Sequence, residues 1–284
     1  MRMEDDVQDK IAAAASIDRV TGSADKINLA GASKTFHVRG QVIRALQAVD
    51  LSVRREEVVA LVGPSGCGKS TILNLVAGLL APSAGTVLYD GQPVRDLNRR
   101  VGYMTQKDTL LPWRRAADNI RVALELGCRP TSRAEADEKV ARMMELVGLK
   151  GFENHYPSEL SGGMRKRTLL GRTLIYEPET LLMDEPFGAL DAQLKLVMLD
   201  QLQSLTQQRR ITVLFVTHDL GEAITLADRV VVFSARPGRI RAIRDIDLPR
   251  PRDVFRIRFT DVFARYHEEL WDVLKDEVTK GTDI

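Results

Sequence analysis

The apolar residues of this chain fall into short runs whose spacing changes along its length. β-rich runs cover Ile27–Phe36, Ala48–Val53 and Val58–Val62. The last is continuously apolar and stops at Gly63, which suits a strand buried on both faces. A helical spacing follows: Ile72, Leu73, Leu75, Val76 and Leu79 predict a helix over Ser70–Leu80. Short strands are predicted at 85–89 and 101–104, then helices at 116–127 and 133–148. Met164–Ile175 reads as a further helix, Leu181–Met183 and Thr212–Val216 as buried parallel strands, and Val230–Phe233 as another strand. Asp261–Val278 reads as an amphipathic helix with Phe263, Tyr266, Leu270, Trp271, Val273 and Leu274 turned inward. This order implies an α/β core with a small antiparallel β appendage and a helical insert.

The expected organisation is a flexible polar tail over residues 1–25, a body over 26–250 with its helical part at about 107–172, and a helical extension over 251–284. The whole is 284 residues, enough for one large domain or two small ones. Hydrophobic residues at 44% and charged residues at 28% exclude a disordered or fibrous chain. The net charge of +2 gives no global field of the kind a dedicated nucleic-acid binder uses. Two cysteines, Cys67 and Cys128, are too few for a disulfide scaffold and point to a reducing compartment. The start, MRMEDDVQDK, does not read as a signal peptide, and no apolar run is long enough to span a bilayer. Residues 236–258 carry eight arginines against Asp245, Asp247 and Asp253, which reads as a solvated surface or a contact with lipid headgroups.

Four segments carry chemistry. Gly63-Pro64-Ser65-Gly66-Cys67-Gly68-Lys69-Ser70-Thr71 matches G-x-x-x-x-G-K-[ST] between a buried strand and a helix. Its glycines let successive N–H groups converge at a helix start, where an anion is favoured. Lys69 supplies charge for β- and γ-phosphates, and Ser70 a hydroxyl for Mg²⁺. In Leu181-Leu182-Met183-Asp184-Glu185-Pro186 an apolar strand ends in two acids. Asp184 suits a metal's water shell, and Glu185 can reach an attacking water as general base. Ser161-Gly162-Gly163 opens the helix at Met164 and forms a second anion-seeking start, explained if it closes on the nucleotide of another subunit. Gln106 and His218 each follow a strand, where their side chains can face a γ-phosphate.

Together these segments resemble the nucleotide-binding subunit of an ABC transporter. The Walker A loop is GPSGCGKST (63–71), the Q-loop residue Gln106, and the signature LSGGM (160–164). The Walker B strand is LLMDE (181–185), the D-loop GALD (188–191), and the switch histidine His218. The chain looks most like the nitrate/sulfonate/taurine-type importer ATPases, through DTLLPWR (108–114), ARPGRI (235–240) and DLPRPRD (247–253). The resemblance implies a P-loop NTPase (RecA-like) core with a helical signature subdomain.

It also implies ATP and Mg²⁺ as ligands, and two subunits sandwiching two ATP molecules head to tail. Lys69, Ser70 and the loop amides then hold one face of each ATP, and Ser161, Gly162 and Gly163 of the other subunit hold the second. Glu185 polarises water, His218 holds the γ-phosphate, Gln106 senses Mg²⁺ and the water, and Asp191 links the two sites. Phe36 is the candidate for stacking on adenine. Leu110, Leu111, Pro112 and Trp113 are expected to line a groove for permease subunits, with a solute-binding protein engaged indirectly and no nucleic acid. The implied place is the cytoplasmic face of the cell membrane. A non-transport ABC ATPase acting on nucleic acid or ribosomes is the alternative.

Three positions depart from the family pattern. Glu56 stands where a turn glycine is frequent, Lys166 where glutamine is frequent after the signature, and Gly188 opens the D-loop where serine or alanine is commoner. Cys67, within the phosphate loop, is expected to react with a thiol reagent that then blocks ATP, with ATP protecting.

Overall fold

The computed structural model describes residues 25–126, 132–188 and 190–282. The predicted tail, apart from Asp25, lies outside them, as do Cys128 and the alanine of the D-loop. Two sheets form the body. An antiparallel sheet contains β1 (Asp25–Val38), β2 (Gln41–Arg54), β4 (Ala84–Tyr89) and β5 (Gln92–Pro93), in the order β2-β1-β4-β5. The second sheet contains β3 (Val58–Val62), β6 (Val101–Met104), β7 (Thr180–Asp184), β8 (Thr212–Val216), β9 (Arg229–Phe233) and β10 (Ile240–Asp245). Its order is β10-β9-β3-β8-β7-β6, parallel except for β10 at one edge.

The parallel strands divide two cores between them by simple alternation. Val58, Ala60 and Val62 face one core with Leu181, Met183, Val213, Phe215, Val230 and Val232. Val59 and Leu61 face the other with Leu182, Leu214, Val216, Val231 and Phe233. Every one of these side chains is buried, which is why the runs are continuously apolar. Each large one contributes about 1.5–3 kcal/mol relative to exposure. The first core is closed by α2 (Ala116–Glu125), α3 (Arg133–Leu146), α4 (Gly162–Leu174), α5 (Ala192–Arg209), α6 (Leu220–Leu226) and α7 (Asp261–Thr282). The second is closed by the antiparallel sheet and α1 (Lys69–Val76).

Several elements differ from the sequence reading. The helix predicted to Leu80 ends at Val76, where the N–H groups of Leu79 and Leu80 both turn back to Asn74 O. β2 begins seven residues before Ala48, because Arg39 and Gly40, both at positive φ, make a tight hairpin turn with β1. Residues 236–258 are neither merely solvated nor all free for lipid. Six of them form β10, and Arg252 is only 3% exposed. Its guanidinium donates to the carbonyls of Ile224, Thr225, Ala227, Ile246 and Leu248, and burial lowers its pKa to about 10. Arg250 pairs with Asp228 at 2.6 Å. In α7, Phe263, Leu270 and Leu274 are buried as expected, but Trp271 is half-exposed. Adjacent to Leu270, it points about 100° further round the helix.

Candidate functional site

The phosphate loop hangs between the end of β3 and the start of α1. Gly68, at φ +105°, precedes the helix, and no side chain caps it. A Cβ there would lie 2.7 Å from Ala45 O and from Leu46 Cδ2, so only glycine fits. With no side-chain cap, the first turn keeps an N–H group for a ligand at Ser70, while Thr71 N–H turns back to Gly68 O at 3.0 Å. Lys69 is buried, and its Nζ donates to Gly63 O at 2.7 Å and Pro64 O at 2.8 Å. This folds the ammonium into the curve of the loop.

A cleft of about 310 Å³ opens on this loop. Ser65, Gly66, Gly68, Lys69, Ser70 and Thr71 form its floor. Phe36, Gln106, Glu185 and Arg236 stand on its walls. Phe36 is half-buried, with Lys34 Nζ 5.4 Å from its ring centre. Gly63, Pro64 and Cys67 do not line the cleft. A larger hollow of about 560 Å³ lies beside the amino ends of β7 and β8. Its Lys26 and Glu179 are already paired with each other and with Asp90 and Arg100. Ligands in such sheets bind at the carboxyl ends, so the smaller cleft is the site.

Three adjacent parallel strands deliver the acid end. β7 ends in Asp184, which is buried and accepts a hydrogen bond from Ser70. Burial pushes its carboxyl pKa up, while the Ser70 hydrogen bond opposes the shift. Glu185 follows at φ +49°, a left-handed conformation costing about 1–3 kcal/mol for a non-glycine residue. Its N–H donates to Val216 O at 3.0 Å, tying β7 to β8. Gln106, beyond β6, donates from Nε2 to Glu185 Oε2 at 3.1 Å. His218, beyond β8, holds Nδ1 3.6 Å from the same oxygen, too far for a good hydrogen bond. Behind it Thr217 donates to Glu222, and Lys195 of α5 bridges Asp219 and Glu222.

The signature residues are not in this cleft. Ser161 is exposed and caps α4, its Oγ accepting from Met164 N at 3.2 Å. Gly162 is half-buried and Gly163 buried. Asp191 caps α5 in the same manner, accepting from Leu194 N at 2.9 Å. The start of α4 is nevertheless wired to the cleft. Lys166 is buried and donates to Gln106 O, and Arg165 pairs with Asp108 at 3.1 Å. Lys166 and Arg236 are functional candidates that residue type alone did not flag. Lys166 stood out only as a departure after the signature, and Arg236 only as a letter of ARPGRI and one of the eight arginines of 236–258.

Cys67 corrects an expectation. Its side chain is 1% exposed and packs into the core beneath the loop. Burial pushes its thiol pKa up, so neither access nor thiolate favours a reagent arriving through the cleft.

A glycine-rich loop, a buried lysine and two consecutive acids at the end of the parallel strand β7 define a P-loop ATPase. The model of the ABC transporter family matches residues 46–188. An uncharacterized ABC transporter ATP-binding protein of Methanocaldococcus jannaschii is 44% identical over 256 residues, covering 90% of this chain and 94% of that protein. The aliphatic sulfonates import ATP-binding protein of Bacillus cereus is 37% identical over 226 residues, covering 80% and 88%. A solved dimeric ATP-binding cassette in a post-hydrolysis state with ADP and Pi is 29% identical with a TM-score of 0.72, covering 78% of this chain and 100% of that one. The chain belongs to the ABC transporter family and is an ATP-binding subunit with ATPase activity.

Proposed function

We propose that this chain powers an importer for a small anion of the sulfonate or nitrate kind, working as a head-to-tail pair on a membrane permease. The observation that carries the reading is the division of labour within one chain. The cleft gathers the phosphate loop, Gln106 and Glu185, while Ser161 and Gly163 lie outside it. A second copy can supply them to the open face. In this reading 26–250 is the cassette and 251–284 its helical extension, whose Leu270 and Leu274 share the cassette's core.

The loop N–H groups and Lys69 hold the phosphates, and Phe36 stacks on the base. Glu185 takes the proton of the attacking water as its oxygen bonds to the γ-phosphorus and the bond to ADP breaks. Gln106 and His218 flank Glu185 and orient the water and the γ-phosphate. The Ser70 hydroxyl, the Gln106 amide oxygen and the Asp184 carboxylate form a hard-oxygen set with a single carboxylate. That set fits Mg²⁺ shared with substrate phosphates, which supplies positive charge to the phosphate oxygens when bound. Asp191 stands at the edge where two copies would meet.

Trp113 is 70% exposed beside half-buried Leu110 and Leu111, an apolar step suited to a permease segment. Among the described residues no helix is long and apolar enough to cross a membrane, so attachment at the cytoplasmic face would run through that partner. The test is affinity purification of the chain from gently solubilised membranes with mass identification. A multi-spanning permease should co-purify. Ribosomal or DNA-associated proteins alone would overturn the transport role and leave the ATPase standing.

A further inference from the structure

We propose that Arg236 is a nucleotide-binding residue that contacts the phosphate chain common to ATP and ADP. The inference rests on the reading of the cleft as the nucleotide site. Arg236 lines that cleft together with the phosphate loop and Phe36. Its Nε donates to Gly66 O at 3.3 Å, a long bond that a phosphate oxygen can replace. Among the described residues no carboxylate pairs with it. The nearby arginines are engaged elsewhere: Arg239 with Gln47 and Arg241 with Glu277. A guanidinium with spare donors beside a polyphosphate pocket is chemically matched to it.

The backbone of this segment is held from both sides, so the side chain's origin is fixed. Gly238 N donates to Ala45 O at 2.9 Å, and Gln47 N donates to Gly238 O at 3.0 Å. Gly238 passes so near the loop that a Cβ would fall 2.0 Å from Cys67 O. On the far side Ala235 N donates at 3.0 Å to Glu277, a buried carboxylate of α7 that also takes Arg241 Nε at 3.0 Å. The loop is thus anchored to β2, to the phosphate loop and to the last helix. Arg236 itself is exposed at the rim, so replacing it leaves the core packing untouched.

The experiment measures ATP, ADP and adenosine affinities by calorimetry or competition for the full chain and for Arg236→Gln, Arg239→Gln and Lys69→Ala. Arg236→Gln should weaken ATP and ADP alike by about tenfold and leave adenosine unchanged, the scale of one charge-assisted contact. Arg239→Gln removes the same charge from the same loop and should stay within about twofold of wild type. ATP and ADP affinities unaltered in Arg236→Gln would overturn the inference, while loss in Lys69→Ala kept the cleft reading intact. Equal loss in Arg236→Gln and Arg239→Gln would also overturn it, because net charge alone would then explain the effect. Wild-type protein that bound neither nucleotide would remove the cleft reading, and this inference with it.

Discussion

Two helices of this chain begin on glycine-rich turns, and they begin differently. α1 starts at Gly68 with no side chain on its first N–H groups, inside a walled cleft with a buried lysine. α4 starts at Ser161, whose own hydroxyl accepts from Met164 N–H, on an exposed edge. Both ends carry the positive pole of a helix. Only the first goes without a side-chain cap, and a glycine at that position costs only about a few tenths of a kcal/mol of helix stability. The difference separates a site that holds an anion from a surface that is offered to one. α1 makes a site within one chain. α4 has a complete local structure and needs a second molecule to give its edge a purpose.

That contrast can be broken by experiment. The largest effect should come from Glu185→Gln. Phosphate release should fall at least about a hundredfold while ATP affinity holds, since the loop is untouched. Unchanged turnover would place the base elsewhere. Next, Lys69→Ala should weaken ATP binding by about tenfold to a hundredfold, the worth of one or two charge-assisted hydrogen bonds. Ser161→Ala sharpens the comparison. Measured at dilutions where the chain is monomeric, ATP affinity should be unaltered, turnover at high concentration should fall several-fold, and the lost cap should lower stability by about 1 kcal/mol. Were monomer affinity to drop as well, the two helix starts would be serving one site. The smallest effect concerns Cys67. Its labelling under native conditions should be slow with or without ATP and become fast on unfolding, as mass spectrometry can follow. Rapid labelling that ATP suppresses would put the thiol in the cleft after all.

The sequence marks what is repeated or chemically marked, and misses what depends on approach. Val58–Val62 and Thr212–Val216 were legible to the residue, because strands buried on both faces leave nearly continuous apolar runs. The phosphate loop and the paired acids were legible because their residue types are unusual in combination. Which side of the loop Cys67 faces was not, since no spacing rule encodes the direction of a side chain in a turn. β10 was hidden because it is a largely exposed edge strand carrying Arg241, Arg244 and Asp245, so it looks like solvated surface. Arg252 was misread for a related reason: a buried cation satisfied by carbonyls has no signature in composition. Glu56 was flagged as a departure from the family pattern, where a turn glycine is frequent, and it does adopt the left-handed conformation, φ +63°, that a glycine would take without strain.

β3 shows what kind of change this architecture tolerates. Its five residues serve two cores in turn and then release the chain directly into the phosphate loop. Exchanging one aliphatic side chain there for another perturbs a single core position. Adding or deleting one residue would swap the two faces throughout the strand and shift the loop by about 3.3 Å along its axis. Drift in lettering is therefore permitted where drift in length is not. The segment acts as a ruler, and variants of this protein should differ in size only where the chain runs between elements.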